Sequence, residues 1–266
     1  MYVVKASGER EEFNAEKVRR TCLRAGASKE LADKIAKEVE KRAYDGITTK
    51  EILDLTLKTL EEEEPEAAAR YDLKRAIMSL GPAGFPFEKF MAEVLQNYGY
   101  KINVGRVLRG KCVDHEVDIV AEKDGKHYLV ECKYHNASGI YTDLKVTLYT
   151  HARFLDLGKN FDHAWLVCNT KCTKEARRYA KCVGLKITSW RYPKESLEKM
   201  IEKKKLYPVT ILRSVKGFAK DRLFQARIML AKDLLNYGPE DLKRMTGLPQ
   251  DTVNKIMEEV RRVCVC

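Results

Sequence analysis

Two stretches of alternating polar and apolar residues, Glu116–Ala121 and Tyr128–Tyr134, flank the dipeptide Asp124-Gly125. An Asp-Gly pair between such stretches is typical of a two-residue β-hairpin loop, because both loop residues adopt a positive φ. A hairpin closed by this loop sets Asp118 opposite Glu131. Because side chains alternate between the two faces of a strand, we expect one buried apolar face and a second face that carries both acids.

Lys133 belongs to the same predicted face as the two acids. Like charges directly opposite each other destabilise a sheet, so the facing carboxylates indicate a bound cation. Mg²⁺ prefers carboxylate oxygens and keeps waters for a substrate phosphate. Lys133 would position or deprotonate the attacking water and offset charge on the phosphate. The hairpin thus predicts a metal-dependent nuclease centre, with Asp118 and Glu131 as metal ligands; the alternative is a surface hairpin with solvated charges.

Segments on both sides of the hairpin extend this pattern. Phe87–Tyr100 predicts a helix, Ala164–Cys168 and Leu185–Trp190 predict strands, and Thr173–Ala180 predicts a helix capped by Thr173. Together with the hairpin they resemble the PD-(D/E)xK nuclease superfamily, most closely its Mrr-like restriction endonuclease branch. The resemblance implies a restriction endonuclease-like α/β core over 83–205 that hydrolyses phosphodiester bonds in DNA with Mg²⁺.

Glu88 stands near the start of the predicted helix. By the same resemblance it is the helix glutamate that helps to hold the metal through water, and we include it among the catalytic residues. The alternative is an ordinary solvated helix residue. Many Mrr-like members have Gln where this chain has Glu131, and the Glu is the more widespread superfamily choice.

The first eighty residues form a separate pattern. Val3–Asn14 predicts two short strands around a Ser-Gly turn, and helices follow at about 15–25, 29–44 and 49–62. Each helix has an amphipathic face, so the three faces predict one small core. Without further information this is a small α+β domain that needs no ligand.

A spaced set of residues adds a resemblance to the ATP-cone domain, a nucleotide-sensing module. The set comprises Val3, Lys5, Gly8, Glu11, Asn14, Lys17 and the run from Tyr44 to Thr49. The resemblance implies that Lys5 and Lys17 meet the phosphates of ATP or dATP, while Glu11, Asn14 and Thr49 bind or shape the pocket. No phosphate-binding Gly-x-x-x-x-Gly-Lys-Ser/Thr loop occurs, so we expect the nucleotide to be sensed and not hydrolysed.

The C-terminal part is predicted to be helical. We expect one helix over about Asp221–Asn236, then two short helices, Pro239–Met245 and Gln250–Val260, joined by Thr246–Pro249. The pair resembles a helix-hairpin-helix domain, which implies contacts to DNA phosphates. A helix-turn-helix, or a packing or dimerisation module, fits the same pattern.

These segments predict an α/β and α+β multidomain chain. Its domains are a small α+β ATP cone over 1–82, the endonuclease core over 83–205 and an all-α helical domain over 206–266. The segment Gly81–Pro86, which is rich in Gly and Pro, supports the first boundary.

Composition narrows the partners and the compartment. Fifty Lys and Arg against 39 Asp and Glu give a net charge of +11, which favours a polyanionic partner such as DNA. The eight cysteines lack paired zinc spacing and favour a reducing cytoplasm. We expect no membrane segment, a cytoplasmic location and a possible homodimer.

The sequence therefore predicts a Mg²⁺-dependent DNA endonuclease that ATP or dATP regulates. The competing hypotheses are a non-catalytic, nucleotide-responsive DNA-binding regulator and a structure-specific nuclease for repair or junction processing. The facing acids and Lys133 argue against the regulator, since a scaffold has no use for them.

Overall fold

The computed structural model describes residues 1–81, 84–137 and 139–265; for residue 265 it describes the backbone alone. The chain forms two compact units, one of Ile77–Pro208 and one that combines Met1–Ala76 with the region from Val209 onward. The N-terminal and C-terminal regions, which the sequence treats as separate domains, thus pack into one unit. Pro82 and Ala83, at the first predicted boundary, lie outside the described residues, and the domain boundaries stay predictions.

The N-terminal region has a three-stranded sheet with order β2-β1-β3. Its elements are β1 (Tyr2–Val4), β2 (Arg10–Glu12), α1 (Ala15–Arg24), α2 (Lys29–Arg42), β3 (Ile47–Thr48), α3 (Thr49–Glu63), α4 (Pro65–Tyr71) and α5 (Leu73–Met78). The two predicted strands and three predicted helices are confirmed. The short β3, α4 and α5 carried no sequence prediction.

Helix α3 begins at a capping box. The Thr48 hydroxyl accepts a hydrogen bond from the Glu51 backbone N–H at 3.1 Å, and the Glu51 carboxylate accepts one from the Thr48 N–H at 3.0 Å. This arrangement satisfies backbone groups that a helix start leaves free. Cys22 and Leu60 are both fully buried in the core beneath these helices, so Cys22 behaves as a small apolar residue.

The central unit contains a five-stranded mixed sheet with order β10-β8-β6-β5-β4. Its elements are α6 (Phe85–Asn97), β4 (Lys101–Arg109), β5 (Asp114–Lys123), β6 (Lys126–Lys133), β7 (Tyr141–Thr142), α7 (Leu144–Leu157), β8 (His163–Cys168), β9 (Lys171–Cys172), α8 (Lys174–Val183), β10 (Lys186–Thr188) and α9 (Leu197–Lys203). The predicted hairpin, the later strands and helix α8 are confirmed. Thr173 caps α8 by accepting from the Ala176 N–H at 3.2 Å.

The predicted hairpin register is confirmed for five pairs, from Lys123 with Lys126 to Ile119 with Val130. The ladder of this hairpin ends there, one pair before Asp118 and Glu131. Beyond that point β5 continues beside β4, and β6 continues beside β8. The two strands of the hairpin therefore separate where the predicted catalytic residues begin.

The C-terminal region contains α10 (Phe218–Gln225), α11 (Pro239–Thr246) and α12 (Gln250–Val265). The predicted pair of helices around residues 246–249 is confirmed, and Gly247 ends α11 with φ 67°. The prediction of one helix over 221–236 is wrong. Arg227 has φ 61°, and the chain then buries Leu230 while the Met229 carbonyl accepts from the Val209 N–H at 2.9 Å. Core packing thus overrides helix continuation in this segment.

Within the unit that combines the N-terminal and C-terminal regions, helix α12 contacts helix α4. Arg70 on α4 donates hydrogen bonds to the carbonyls of Ala25 and Val263, at 2.6 and 3.3 Å. No helix in the described part of the chain has both the length and the apolar character to cross a membrane. A homodimer and a cytoplasmic location stay predictions from the sequence.

Candidate functional site

Asp118 stands at the fork where β5 and β6 separate. Its Oδ2 accepts a hydrogen bond from the Cys132 backbone N–H at 2.7 Å. A side-chain carboxylate thus takes a position that a backbone carbonyl would occupy in a continued ladder. Burial raises the pKa of Asp118, and the hydrogen bond from Cys132 opposes that rise.

Glu131 is the second acid at the fork, and its side chain is 14% exposed. Burial, and next the repulsion from Asp118, raise the pKa of Glu131 to about 7. Lys133 follows two positions later on β6, and its charge favours the ionised form of both acids. The predicted trio therefore lies within one electrostatic neighbourhood.

Helix α6 brings Glu88 to the same neighbourhood. Burial raises the pKa of Glu88 to about 7, and repulsion from Asp118 and Glu116 adds to the rise. Glu116 is an exposed residue on β5 that the sequence analysis did not select as a site residue. The four predicted catalytic residues are thus brought together, with Glu116 as a further acid.

Arg153 on α7 completes the site, and no motif in the sequence predicted it. Its Nη1 forms an ion pair with Glu131 Oε2, and its Nη2 donates to the Tyr149 hydroxyl at 2.7 Å. Arg153 belongs to the buried stripe of α7 that also contains Thr147, Thr150 and Leu157. A charged residue at that helical spacing is the signal that could have revealed a buried partner.

The donor set fits a hard divalent cation. Asp118 and Glu131 supply carboxylate oxygens, and burial together with the charge of a nearby acid, Glu116 for Asp118 and Asp118 for Glu131, raises the pKa of each. Among the described residues, no group of three or more His, Cys, Asp or Glu side chains is close enough to hold a metal together. Mg²⁺ commonly takes one or two carboxylates and fills its shell with water and phosphate. Two ligands are therefore sufficient for the proposed ion.

The N-terminal region contains a pocket of about 170 Å³. Its lining includes all five predicted nucleotide-binding residues, Lys5, Glu11, Asn14, Lys17 and Thr49. Glu11 forms ion pairs with both lysines, at 2.7 Å to Lys5 Nζ and in direct contact with Lys17 Nζ. The pocket thus presents two cations around one internal carboxylate.

Apolar side chains complete this pocket and were not predicted. Val18, Ile52 and Tyr71 line it, from α1, α3 and α4 respectively. An apolar wall beside a pair of lysines suits a ligand with a flat ring and an anionic end. Tyr71 belongs to α4, a helix that the sequence pattern did not reveal.

A relative from Archaeoglobus fulgidus and a solved structure show where the chain belongs. An uncharacterised protein from this organism is 42% identical over 175 residues, which are 65% of this chain and 99% of the relative. A crystal structure of AF1548, a protein of unknown function, is 38% identical with a TM-score of 0.62, and the match covers 68% of this chain and 98% of that one. The chain belongs to the AF1548-like family.

Three family matches divide this AF1548-like protein. Residues 1–78 match the ATP cone domain, residues 82–193 match the restriction endonuclease family, and residues 207–264 match the AF1548-like C-terminal domain. Both resemblances that the sequence carried in its first two regions are confirmed. The helix-hairpin-helix character of the C-terminal helices stays a prediction.

A more distant solved structure is Can2 from Sulfobacillus thermosulfidooxidans in complex with cyclic tetra-adenylate. It is 14% identical with a TM-score of 0.35, over 74% of this chain and 64% of that one. Similarity at this level is too weak to support an inference about fold or function.

Proposed function

We propose that this AF1548-like protein is a metal-dependent DNA endonuclease whose ATP cone binds ATP or dATP as a regulatory ligand. The observation that carries the proposal is the fork between β5 and β6. There Asp118 is held by the Cys132 N–H, with Glu131 and Lys133 beside it. The match to the restriction endonuclease family supports the same assignment.

Each residue at the fork has a distinct proposed task. Asp118 and Glu131 would hold Mg²⁺, and Glu88 would contact it through water. The bound cation supplies Lewis-acid activation of water and of the scissile phosphate. Lys133 Nζ would donate a hydrogen bond to the attacking water or to a phosphate oxygen, where negative charge develops during phosphodiester cleavage.

The charge of the chain supports DNA as the partner. The net charge is +11, and Lys174, Arg178 and Lys181 are exposed on α8 at spacings that share one helical face. Cationic side chains on one face suit contacts to successive phosphates. We assign the C-terminal helices a second role in holding DNA.

One observation favours a second candidate, the non-catalytic regulator. Glu131 is already engaged by Arg153, an ion pair that a pure scaffold would tolerate. In that case the protein would bind DNA in response to nucleotide and would cut nothing. The two candidates differ in whether a metal ion produces cleavage.

Plasmid nicking under metal control tests the proposed function. We expect the whole chain to convert supercoiled plasmid to the nicked form in the presence of Mg²⁺. The nicking should stop when EDTA removes the metal. Asp118→Asn, purified in parallel, reports on contaminating nucleases. Equal nicking by this variant, or plasmid binding without cleavage on plasmid, junction or single-stranded substrates, would favour the regulator. Parallel reactions with ATP or dATP measure whether the nucleotide changes the rate of nicking.

Nucleotide binding to the cone gives an independent prediction. We expect Lys17→Met to weaken ATP binding about tenfold or more, because a charge-assisted hydrogen bond to phosphate is lost. Isothermal titration calorimetry with ATP measures the change in affinity. Lys34→Met is the matched control, since Lys34 on α2 pairs with Glu63 at 2.6 Å and does not line the pocket. Equal affinities for the two variants would contradict the assignment of this pocket.

A further inference from the structure

The guanidinium of Arg153 is enclosed beside the candidate metal site. The residue is 8% exposed. Its Nη1 contacts Glu131 Oε2, its Nη2 donates to the Tyr149 hydroxyl at 2.7 Å, and its central carbon lies 4.6 Å from the centroid of the Tyr149 ring. Arg153 is therefore held from two sides, by a carboxylate and by a tyrosine on its own helix.

This arrangement leaves one donor unsatisfied. Arg153 Nε is buried and has no hydrogen-bond partner among the residues that the structure describes. A buried N–H without a partner is unfavourable, and a buried ion pair recovers its desolvation cost only when the remaining donors are satisfied. The contact with Glu131 is thus poorly explained as a device for stability alone.

The charges around Arg153 suggest another role. Glu131 and Asp118 repel each other in a buried setting, and the positive charge of Arg153 acts on both. A divalent cation bound by Glu131 would meet the carboxylate that Arg153 Nη1 already contacts, and the guanidinium would repel it at short range. Arg153 and the metal would therefore compete for the carboxylate of Glu131.

We propose that Arg153 is an internal counter-cation that holds Glu131 in the metal-free protein and gives it up when a divalent cation binds. It is a positioning residue, because it acts on the metal through Glu131. The inference rests on the proposed function, in which Glu131 is a metal ligand. Its consequence is that Arg153 sets how much free metal the site needs.

Binding of Mn²⁺ to the full-length protein tests the proposal without any cleavage assay. Electron paramagnetic resonance of free Mn²⁺ gives the dissociation constant directly. We expect Arg153→Met to bind Mn²⁺ about tenfold more tightly or better, because a repelling charge next to the ion is removed. A residue with a merely structural role would lower the melting temperature in EDTA and leave the affinity unchanged.

Arg177→Met is the matched control. Arg177, on α8 of the same unit, also places its guanidinium over a tyrosine, 5.1 Å from the centroid of the Tyr192 ring. The substitution removes the same charge without touching Glu131, so its Mn²⁺ affinity is expected to equal that of the wild type. If Arg153→Met fails to fold, Tyr149→Phe removes only the hydroxyl that anchors Nη2, and we expect affinity about two- to threefold tighter.

The outcomes separate the inference from the function beneath it. Unchanged or weaker Mn²⁺ binding by Arg153→Met, or by Tyr149→Phe in its place, overturns the counter-cation role of Arg153. An equal gain in Mn²⁺ affinity in Arg177→Met overturns it as well. If the counter-cation is overturned in this way while the wild type binds Mn²⁺ and Asp118→Asn does not, the proposed metal site is still supported. Absence of Mn²⁺ binding in wild type and in the Arg153 and Tyr149 variants overturns the metal site and the counter-cation together.

Discussion

We expect Lys133→Ala to lower the rate of the proposed Mg²⁺-dependent plasmid nicking by about 10²- to 10⁴-fold, the range typical of losing a positioned proton-transfer or charge-stabilising group. Lys133 is half-buried at the end of β6, beside two acids whose charge it stabilises. In the proposed function, its loss would remove a cation from the position where the phosphate becomes more negative. Single-turnover cleavage of a labelled duplex measures the change.

Lys126→Ala is the matched control for this experiment. Lys126 begins the same strand, is exposed, and pairs with Asp162 at 3.3 Å. Since it lies at the opposite end of β6 from the fork, we expect its cleavage rate to stay within about twofold of wild type, in line with the small contribution of exposed ion pairs. A similar loss in both variants would indicate a general effect of charge on DNA binding, and Lys133 would lose its proposed catalytic role.

Trp165→Ala is expected to lower the free energy of unfolding of the central unit by about 3–5 kcal/mol. Trp165 is 1% exposed on β8, and its ring centroid lies 5.7 Å from that of Tyr100 and 6.2 Å from that of Tyr128. The substitution would leave a cavity in the middle of the sheet. It would also remove the donor that Trp165 Nε1 offers to the Thr188 hydroxyl at 3.0 Å.

Urea unfolding followed by tryptophan fluorescence measures this loss. The chain has two tryptophans, and Trp190 remains as a reporter within the same unit. Trp165→Phe keeps an aromatic ring while it removes the indole N–H, so we expect a loss near 1–2 kcal/mol. A Trp165→Ala variant as stable as Trp165→Phe would mean that the ring contacts contribute little to this core.

The hairpin follows its local sequence pattern over most of its length and departs from it at Asp118. The Asp124-Gly125 turn and the alternation predicted the register of the ladder up to Ile119 with Val130, because both signals are local. They also predicted Asp118 and Glu131 as a facing pair. The structure instead separates the strands there, since Asp118 uses its carboxylate to bind the Cys132 N–H. Beyond that point each strand stays paired only on its outer edge, β5 with β4 and β6 with β8, and the hairpin sequence alone contains no information about those partners.

The C-terminal region demonstrates a second limit of local patterns. Residues 221–236 have a composition compatible with one helix, yet Arg227 breaks it and Leu230 is fully buried. The pairing of Met229 with Val209 joins segments that are distant in sequence. A local pattern contains no information about such a partner.

The sequence by itself determined the elements with strong periodicity, the two family resemblances and the residue types at both sites. Those features depend on neighbours within a few positions or on a spaced motif, so they can be read from the chain. Only the tertiary structure decided that the N-terminal and C-terminal regions share one unit, that Tyr71 lines the cone pocket and that Arg153 holds Glu131. Each of these is a contact between distant segments, and burial against a distant partner is what selects it.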